Sequence, residues 1–340
     1  MLAIIGAGAM GAALAIHHAR AGNPTALLGT AFDTAIVDAL RAGRPHPALG
    51  VSLPGDVECR DDQTWDDVLS KAEVVLVAVS SSGLGDVVSN IAGRVRSDAI
   101  WAVATKGWDE VSLRPPSAII ADAVGSSAPL AILGGPALAP ELVAGAPTTF
   151  VCAARDPEVA AHMRARMEFG DVSVTTTDDV IGVETAAAYK NVVAIAVGAC
   201  EGLSEALTER VFVHQFANAR AAVFACGLRD MSALACALGG RADTILGLAG
   251  AGDLYVTCLG GRNGTLGRLL GAGQTPEQAQ ATIGSTVEGA FNTRAALAVA
   301  ERVGVDLPTA RAVDAMLSGR ARPDAVIRDL MGALTGRSNG

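Results

Sequence analysis

Few side chains in this sequence are placed to do chemistry, and the most informative of them is a lysine. Residues 184–201 read ETAAAYKNVVAIAVGACE, with Lys190 the one charged side chain between two glutamates. Three, four and seven positions away on either side lie Val183, Ala186, Ala187, Val193, Ala194 and Val197, all apolar. A helix apolar on every face is a buried one. Burying an ammonium is costly unless something pairs with it, and the usual response is a lowered pKa. That is how a lysine becomes a proton-transfer group near neutral pH. The competing reading is a lysine near a helix end that snorkels its head to water. This segment alone leaves both open.

Two further clusters carry polar groups. Residues 247–267, GLAGAGDLYVTCLGGRNGTLG, set Asp253, Thr257, Arg262 and Asn263 among glycines and apolar residues. Glycine this dense argues against a regular helix throughout and predicts a loop that brings backbone close to something. A guanidinium offers a planar fork to a phosphate, and Asn or Thr can hydrogen-bond hydroxyls. A flexible surface loop is the alternative, weakened by the interleaved apolar residues. At the other end of the chain, Gly6-Ala7-Gly8-Ala9-Met10-Gly11 follows an apolar strand pattern at 2–5 and precedes a helical pattern at 12–21 closed by Gly22. In that context G-x-G-x-x-G reads as a dinucleotide turn: Gly6 permits the bend, Gly8 admits a pyrophosphate, Gly11 lets helix and strand pack closely. Lys106 ends a strand pattern at 100–105. A cation there suits a phosphate or a polarised carbonyl, and a solvated loop lysine fits the position equally well.

The elements that must hold these groups follow from periodicity. Further strand patterns fall at 25–28, 72–79, 130–133 and 172–177, with glycine-rich turns after several of them and helical stretches between. Residues 41–56 form a Pro/Gly-rich connection. Beyond 177 the patterns are helical: 217–228 and 231–238 split near Gly227, then 276–283 behind a Thr275-Pro276 cap, 293–303, 308–317 and 324–334. The expected class is α/β: an N-terminal doubly wound, Rossmann-type sheet, followed by an all-α C-terminal domain. The expected domains are a dinucleotide-binding domain over 1–180 and a helical substrate and catalytic domain over 181–336. An NAD site commonly carries an acid about 20 residues past the last glycine. Gly29-Thr30-Ala31 occupies that region here, with Asp33 slightly beyond and the next arginine at Arg41. The reader of the 2′-hydroxyl is therefore missing or displaced, and NAD or NADP stays open.

Composition narrows the classes. A chain of 340 residues exceeds one ordinary core. Mean hydropathy is +0.37, yet no uninterrupted apolar run reaches the roughly 18–20 residues of a membrane span. A net charge of −9, no basic run and few aromatics argue against a nucleic-acid partner. Six scattered cysteines without a C-x-x-C pair predict a reducing cytoplasm and no disulfide framework. No basic n-region precedes the first strand, so no signal peptide is expected. The five histidines show no metal-ligand spacing.

The segments GAGAMGAALA (6–15), ATKG (104–107), GGPALAPE (134–141), YKNVVAIAVG (189–198), GLAGAGDLYVTCLGGRN (247–263) and VEGAFNT (287–293) together resemble NAD(P)-dependent glycerol-3-phosphate dehydrogenases, in order and over most of the chain. The resemblance implies NAD or NADP as cofactor, a small phosphorylated substrate, no membrane span and a homodimer. It implies Lys190 as acid/base, Asp253 as its partner and Lys106 in contact with substrate and cofactor. Asn191, Thr257, Arg262 and Asn263 are implied at the substrate, with Arg262 and Asn263 on its phosphate. Gly6, Gly8, Ala9, Met10, Gly11, Ala139, Arg262 and Glu288 are implied near the cofactor. Three features depart from the family: Ala9-Met10 lacks the usual aromatic or bulky residue, GGPALA stands for S-G-P-S-F-A, and about ten extra residues fall near 204–215. They leave room for a related dehydrogenase acting on another polyol or keto phosphate. A non-catalytic cofactor sensor would not need Lys190 or Asp253.

Overall fold

Short apolar strands followed by glycine are the pattern of a sheet buried on both faces, and the computed structural model has one. It describes residues 1–61, 64–109, 111–206, 216–285 and 287–334, in two compact units, Met1–Glu184 and Thr185–Gly340. The first holds eight strands: β1 (Leu2–Ile5), β2 (Thr25–Leu28), β3 (Val57–Arg60), β4 (Val74–Val77), β5 (Ile100–Val103), β6 (Leu130–Gly134), β7 (Thr148–Ala153) and β8 (Val172–Thr177). Their order is β3-β2-β1-β4-β5-β6-β7-β8. Leu2 stands opposite both Thr25 and Val74, so β1 is central, and the order reverses beside it. In sheets of this kind ligands sit at the carboxyl ends of the strands at that reversal.

Among the described residues seven α-helices accompany the sheet: α1 (Ala9–Arg20), α2 (Thr34–Arg41), α3 (Asp66–Leu69), α4 (Ser81–Ile91), α5 (Pro116–Val124), α6 (Ala139–Ala144) and α7 (Pro157–Met167). Leu14 and Ile16 of α1 pack into one core with Ile4, Leu27, Leu76 and Met163; each such side chain, fully buried, stabilises the fold by about 1.5–3 kcal/mol. Two strands carry too little pattern to be read from sequence. Edge strand β3 buries Val57 while Glu58 is exposed. Strand β7 runs antiparallel to β6, Leu133 facing Cys152, so no β-α-β rhythm announces it.

The second unit is helical. The helix α8 (Val180–Ala206) begins at the end of the first unit and is buried from 182 to 200. By length and composition it could cross a membrane, but 94 % of its most apolar window is buried inside protein. The others are α9 (Ala217–Ala237), α10 (Ala242–Leu246), a π turn (Leu248–Gly252), α11 (Asp253–Cys258), α12 (Gly261–Gly271), α13 (Pro276–Ile283), α14 (Glu288–Val303), α15 (Pro308–Leu317) and α16 (Pro323–Leu334). A capping box between Thr275 and Gln278 starts α13 as the sequence predicts. Of the extra residues near 204–215, those from 207 to 215 lie outside the described residues.

Two expectations are corrected here. Helix α9 runs unbroken through Gly227, because that glycine is a contact and not a stop: a methyl group there would run into Val193 of α8. The glycine-dense segment expected to be a loop is mostly helical. Several of its glycines lie at close approaches of main chain. A methyl on Gly198 or Gly202 of α8 would strike the main chain at Gly264 or Arg268 of α12, and one on Gly267 or Gly271 would strike that of Ile195 or Ala199. The two helices therefore meet backbone to backbone.

Candidate active site

In the N-terminal unit the glycine turn links β1 to α1. Gly6 has φ of +104°, and a Cβ there would lie 2.7 Å from the carbonyl oxygen of Ala78; a side chain is excluded twice over. A methyl on Gly11 would strike the Gly6 carbonyl, whereas a Cβ on Gly8 would meet nothing within 4 Å. Beyond Gly8 the first turn of α1 has no acidic residue and no side-chain cap. An uncapped helix start with room beside Gly8 fits a pyrophosphate. Ala9 and Met10, half-buried, form that first turn, and Ala139 is the buried first residue of α6.

Two residues that sequence reasoning did not assign hold this turn. The Ala7 N–H donates to Asp33 Oδ2 at 3.1 Å, and the Ala7 carbonyl accepts from His46 Nε2 at 3.0 Å. His46 Nδ1 accepts the Ala48 N–H at 3.1 Å, so the proton sits on Nε2. Asp33, five residues past the end of β2, is thus brought back to the turn. The acid is displaced in sequence but present in space. Lys106, half-buried, lies three residues past the end of β5. Thr105 beside it donates its hydroxyl to the Val79 carbonyl at 2.8 Å, tying this segment to the end of β4.

In the helical unit Lys190 Nζ donates to Asp253 Oδ1 at 2.6 Å, with the two side chains 8 % and 1 % exposed. That excludes the snorkelling lysine. The ammonium is buried and its charge is met by a carboxylate, as burial requires. Asp253 opens α11 just after the π turn, where a carboxylate also suits the helix dipole. The Thr257 hydroxyl bonds back to the Asp253 carbonyl at 2.6 Å. One residue from Lys190, Asn191 joins a chain of amides. The Gly289 N–H donates to Asn263 Oδ1 at 2.9 Å, Asn263 Nδ2 to Asn191 Oδ1 at 2.9 Å, and Asn191 Nδ2 reaches Glu288 Oε2 at 3.5 Å. This chain fastens the start of α14 and the first turn of α12 to α8 beside the lysine. Arg262, next to Asn263, is exposed and has no hydrogen-bond or ion-pair partner among the described residues. An unengaged guanidinium at a helix start is suited to an anion. Burial pushes the thiols of Cys152, Cys200 and Cys258 up to about 12, so these cysteines are packing groups and not nucleophiles.

A sheet that ends in a dinucleotide turn, continued by a helical unit that buries a lysine against a carboxylate, is the build of a nicotinamide-dependent dehydrogenase. Comparison with known proteins narrows the class. Residues 1–160 match the model for the NAD-dependent glycerol-3-phosphate dehydrogenase N-terminus, and 179–328 match that for the C-terminus. A glycerol-3-phosphate dehydrogenase [NAD(P)+] of Xanthomonas campestris pv. campestris is 35 % identical over 334 residues, 97 % of this chain and 94 % of that protein. One from Edwardsiella ictaluri is 38 % identical over 312 residues, 90 % of this chain and 88 % of that protein. The crystal structure of glycerol-3-phosphate dehydrogenase from Coxiella burnetii superposes with a TM-score of 0.86 at 30 % identity, covering 97 % of this chain and 98 % of that one. The chain belongs to the NAD-dependent glycerol-3-phosphate dehydrogenase family.

Proposed function

We propose that this protein interconverts dihydroxyacetone phosphate and sn-glycerol 3-phosphate with NAD(P)H, as a cytoplasmic homodimer. Bound NAD(P)H supplies the hydride that makes the carbonyl carbon a carbinol. Lys190 gives a proton to the ketone oxygen in reduction and takes it back from the hydroxyl in oxidation. Asp253 holds the ammonium in place and balances its charge in the low dielectric around it. Lys106 contacts substrate and cofactor and stabilises the oxygen as negative charge develops on it. Arg262 and Asn263 grip the phosphate, whose binding energy fixes the reacting carbon. Thr257 and Asn191 line the substrate, and Asn191 with Asn263 keeps the phosphate end in register with the lysine. Glu288, Ala139, Arg262 and the turn of Gly6, Gly8, Ala9, Met10 and Gly11 serve the cofactor.

The observation that carries this reading is the 2.6 Å Lys190–Asp253 pair, buried in a helix that is joined through Asn191 to the residue beside an unengaged Arg262. The test is an absorbance assay of NADH and NADPH oxidation with dihydroxyacetone phosphate, unphosphorylated dihydroxyacetone and other keto phosphates. Dihydroxyacetone phosphate should give the highest kcat/KM. Equal use of the unphosphorylated ketone defeats the phosphate grip, and a better keto phosphate reassigns the substrate.

A further inference from the structure

The segment after β2 bears on which nicotinamide cofactor this chain takes. Asp33 Oδ2 collects three donors: the Thr30 N–H at 2.9 Å, the Thr30 hydroxyl at 2.8 Å and the Ala7 N–H of the glycine turn at 3.1 Å. One carboxylate oxygen is thereby saturated and the side chain locked, half-buried, against the turn. The other oxygen has no hydrogen bond among the described residues. A fixed acceptor beside a dinucleotide turn suits the 2′-hydroxyl of an adenosine ribose. A 2′-phosphate at the same place would bring a second negative charge against it.

Discrimination depends equally on the cations available to offset that charge. Thr30 stands where an arginine could otherwise follow the strand. Arg41, at the end of α2, is held by Asp61 at 2.8 Å. Arg60, at the end of β3, is held by Asp67 at 2.9 Å and also by Glu58. These two guanidiniums, Arg41 and Arg60, are already committed to carboxylates.

We infer that Asp33 is the specificity-determining residue for the adenosine end and makes this chain selective for NADH over NADPH. The inference rests on the reading of the chain as an NAD(P)H-dependent dehydrogenase. Its size should be that of one charge-assisted hydrogen bond gained or lost, about 10- to 100-fold in affinity.

The test uses the purified full chain and calorimetric titration with ADP-ribose and with 2′-phospho-ADP-ribose, which bind without turnover. ADP-ribose should bind about 10- to 100-fold more tightly. Asp33→Asn keeps an amide oxygen for the three donors and removes only the charge. It should narrow that ratio at least fivefold-to-tenfold, roughly one lost charge interaction, at an unchanged Tm. If Asp33→Asn does not fold, Asp33→Ser is measured in its place. Equal binding of the two ligands by the parent protein, or a variant that weakens both alike, overturns the assignment. Failure to bind either ligand overturns it together with the cofactor reading. A preserved preference for ADP-ribose in a protein that does not reduce dihydroxyacetone phosphate leaves the inference standing and defeats the substrate reading instead.

Discussion

Two glycine-dense stretches, Gly6 to Gly11 and Gly247 to Gly271, look alike in sequence and do opposite things. In the first, the glycines free the main chain itself. Gly6 takes a conformation that side chains resist, and Gly8 leaves open space in front of a helix start. The groups exposed by that turn are backbone N–H groups. In the second, Gly267 and Gly271 of α12 lie in ordinary helix and remove bulk between two main chains, so that side chains elsewhere on those helices meet. The polar groups brought together there are side chains: Asp253, which meets Lys190 of α8, Asn263, which meets Asn191, and the exposed Arg262. Glycine content thus says that two backbones or a backbone and a ligand come close. It does not say which.

The largest expected effect tests the side-chain half. Lys190→Met should lower kcat by about 10²- to 10⁴-fold while NADH binding, read by fluorescence titration, is kept. Near-normal turnover rejects the lysine as acid/base. The next effect concerns the start of the same helix. Glu184 accepts the Ser117 N–H at 2.7 Å and the Ser117 hydroxyl at 2.6 Å, yet burial outweighs both and pushes its carboxyl up to about 7. The folded chain then holds this proton more tightly than the unfolded chain, whose carboxyl titrates near 4.5. Stability from this group is full below that value, falls as pH rises toward about 7, and stays lower by about 3 kcal/mol above it. Glu184→Gln should remove that slope, which urea unfolding at pH 5 and pH 8 will read; parallel curves for variant and parent would exclude the titration. His18 works in a different window. Burial pushes its imidazole down to about 3, so its contribution is present above 6.5 and lost as pH falls below it.

Arg262→Ala should raise KM for phosphorylated substrate by about 10- to 100-fold, the loss of one or two charge-assisted hydrogen bonds. Tm should not move, because no described residue depends on that guanidinium. A lowered Tm would make Arg262 a structural residue. The comparison itself is sharpest in a pair of matched substitutions. Gly267→Ala forces a methyl against the main chain of α8 and should cost about 1–3 kcal/mol of stability. Gly8→Ala should leave stability alone and raise KM for NADH severalfold, on the order of 1 kcal/mol in binding. If both variants lose stability, or both lose only cofactor affinity, the two stretches do not differ as described.

Much of the first unit was legible because parallel strands buried on both faces leave continuous apolar runs. The patterns at 2–5, 25–28, 100–105 and 172–177 found their strands within two residues. Strand β3 was not legible, since an edge strand with Glu58 and Arg60 has no such run. Helix α15 was found at its observed ends, and α13 was announced by its cap. The glycine-dense segment was misjudged because low helix propensity was set against a tertiary contact that the sequence does not display. Asp33 and His46 escaped for a related reason. Each acts on Ala7 from 26 and 39 residues away, and neither lies at the spacing a linear motif records.

The meeting of α8 and α12 through their main chains has a further consequence. A seam between side chains can be recut by evolution one methyl at a time, and the helices slide as it changes. A seam made of peptide groups has no such adjustable filling. Sequence drift on the outward faces of this bundle therefore leaves the spacing of Lys190 and Asn263 untouched, and change at this site has to come from the residues that rim it rather than from the frame beneath it.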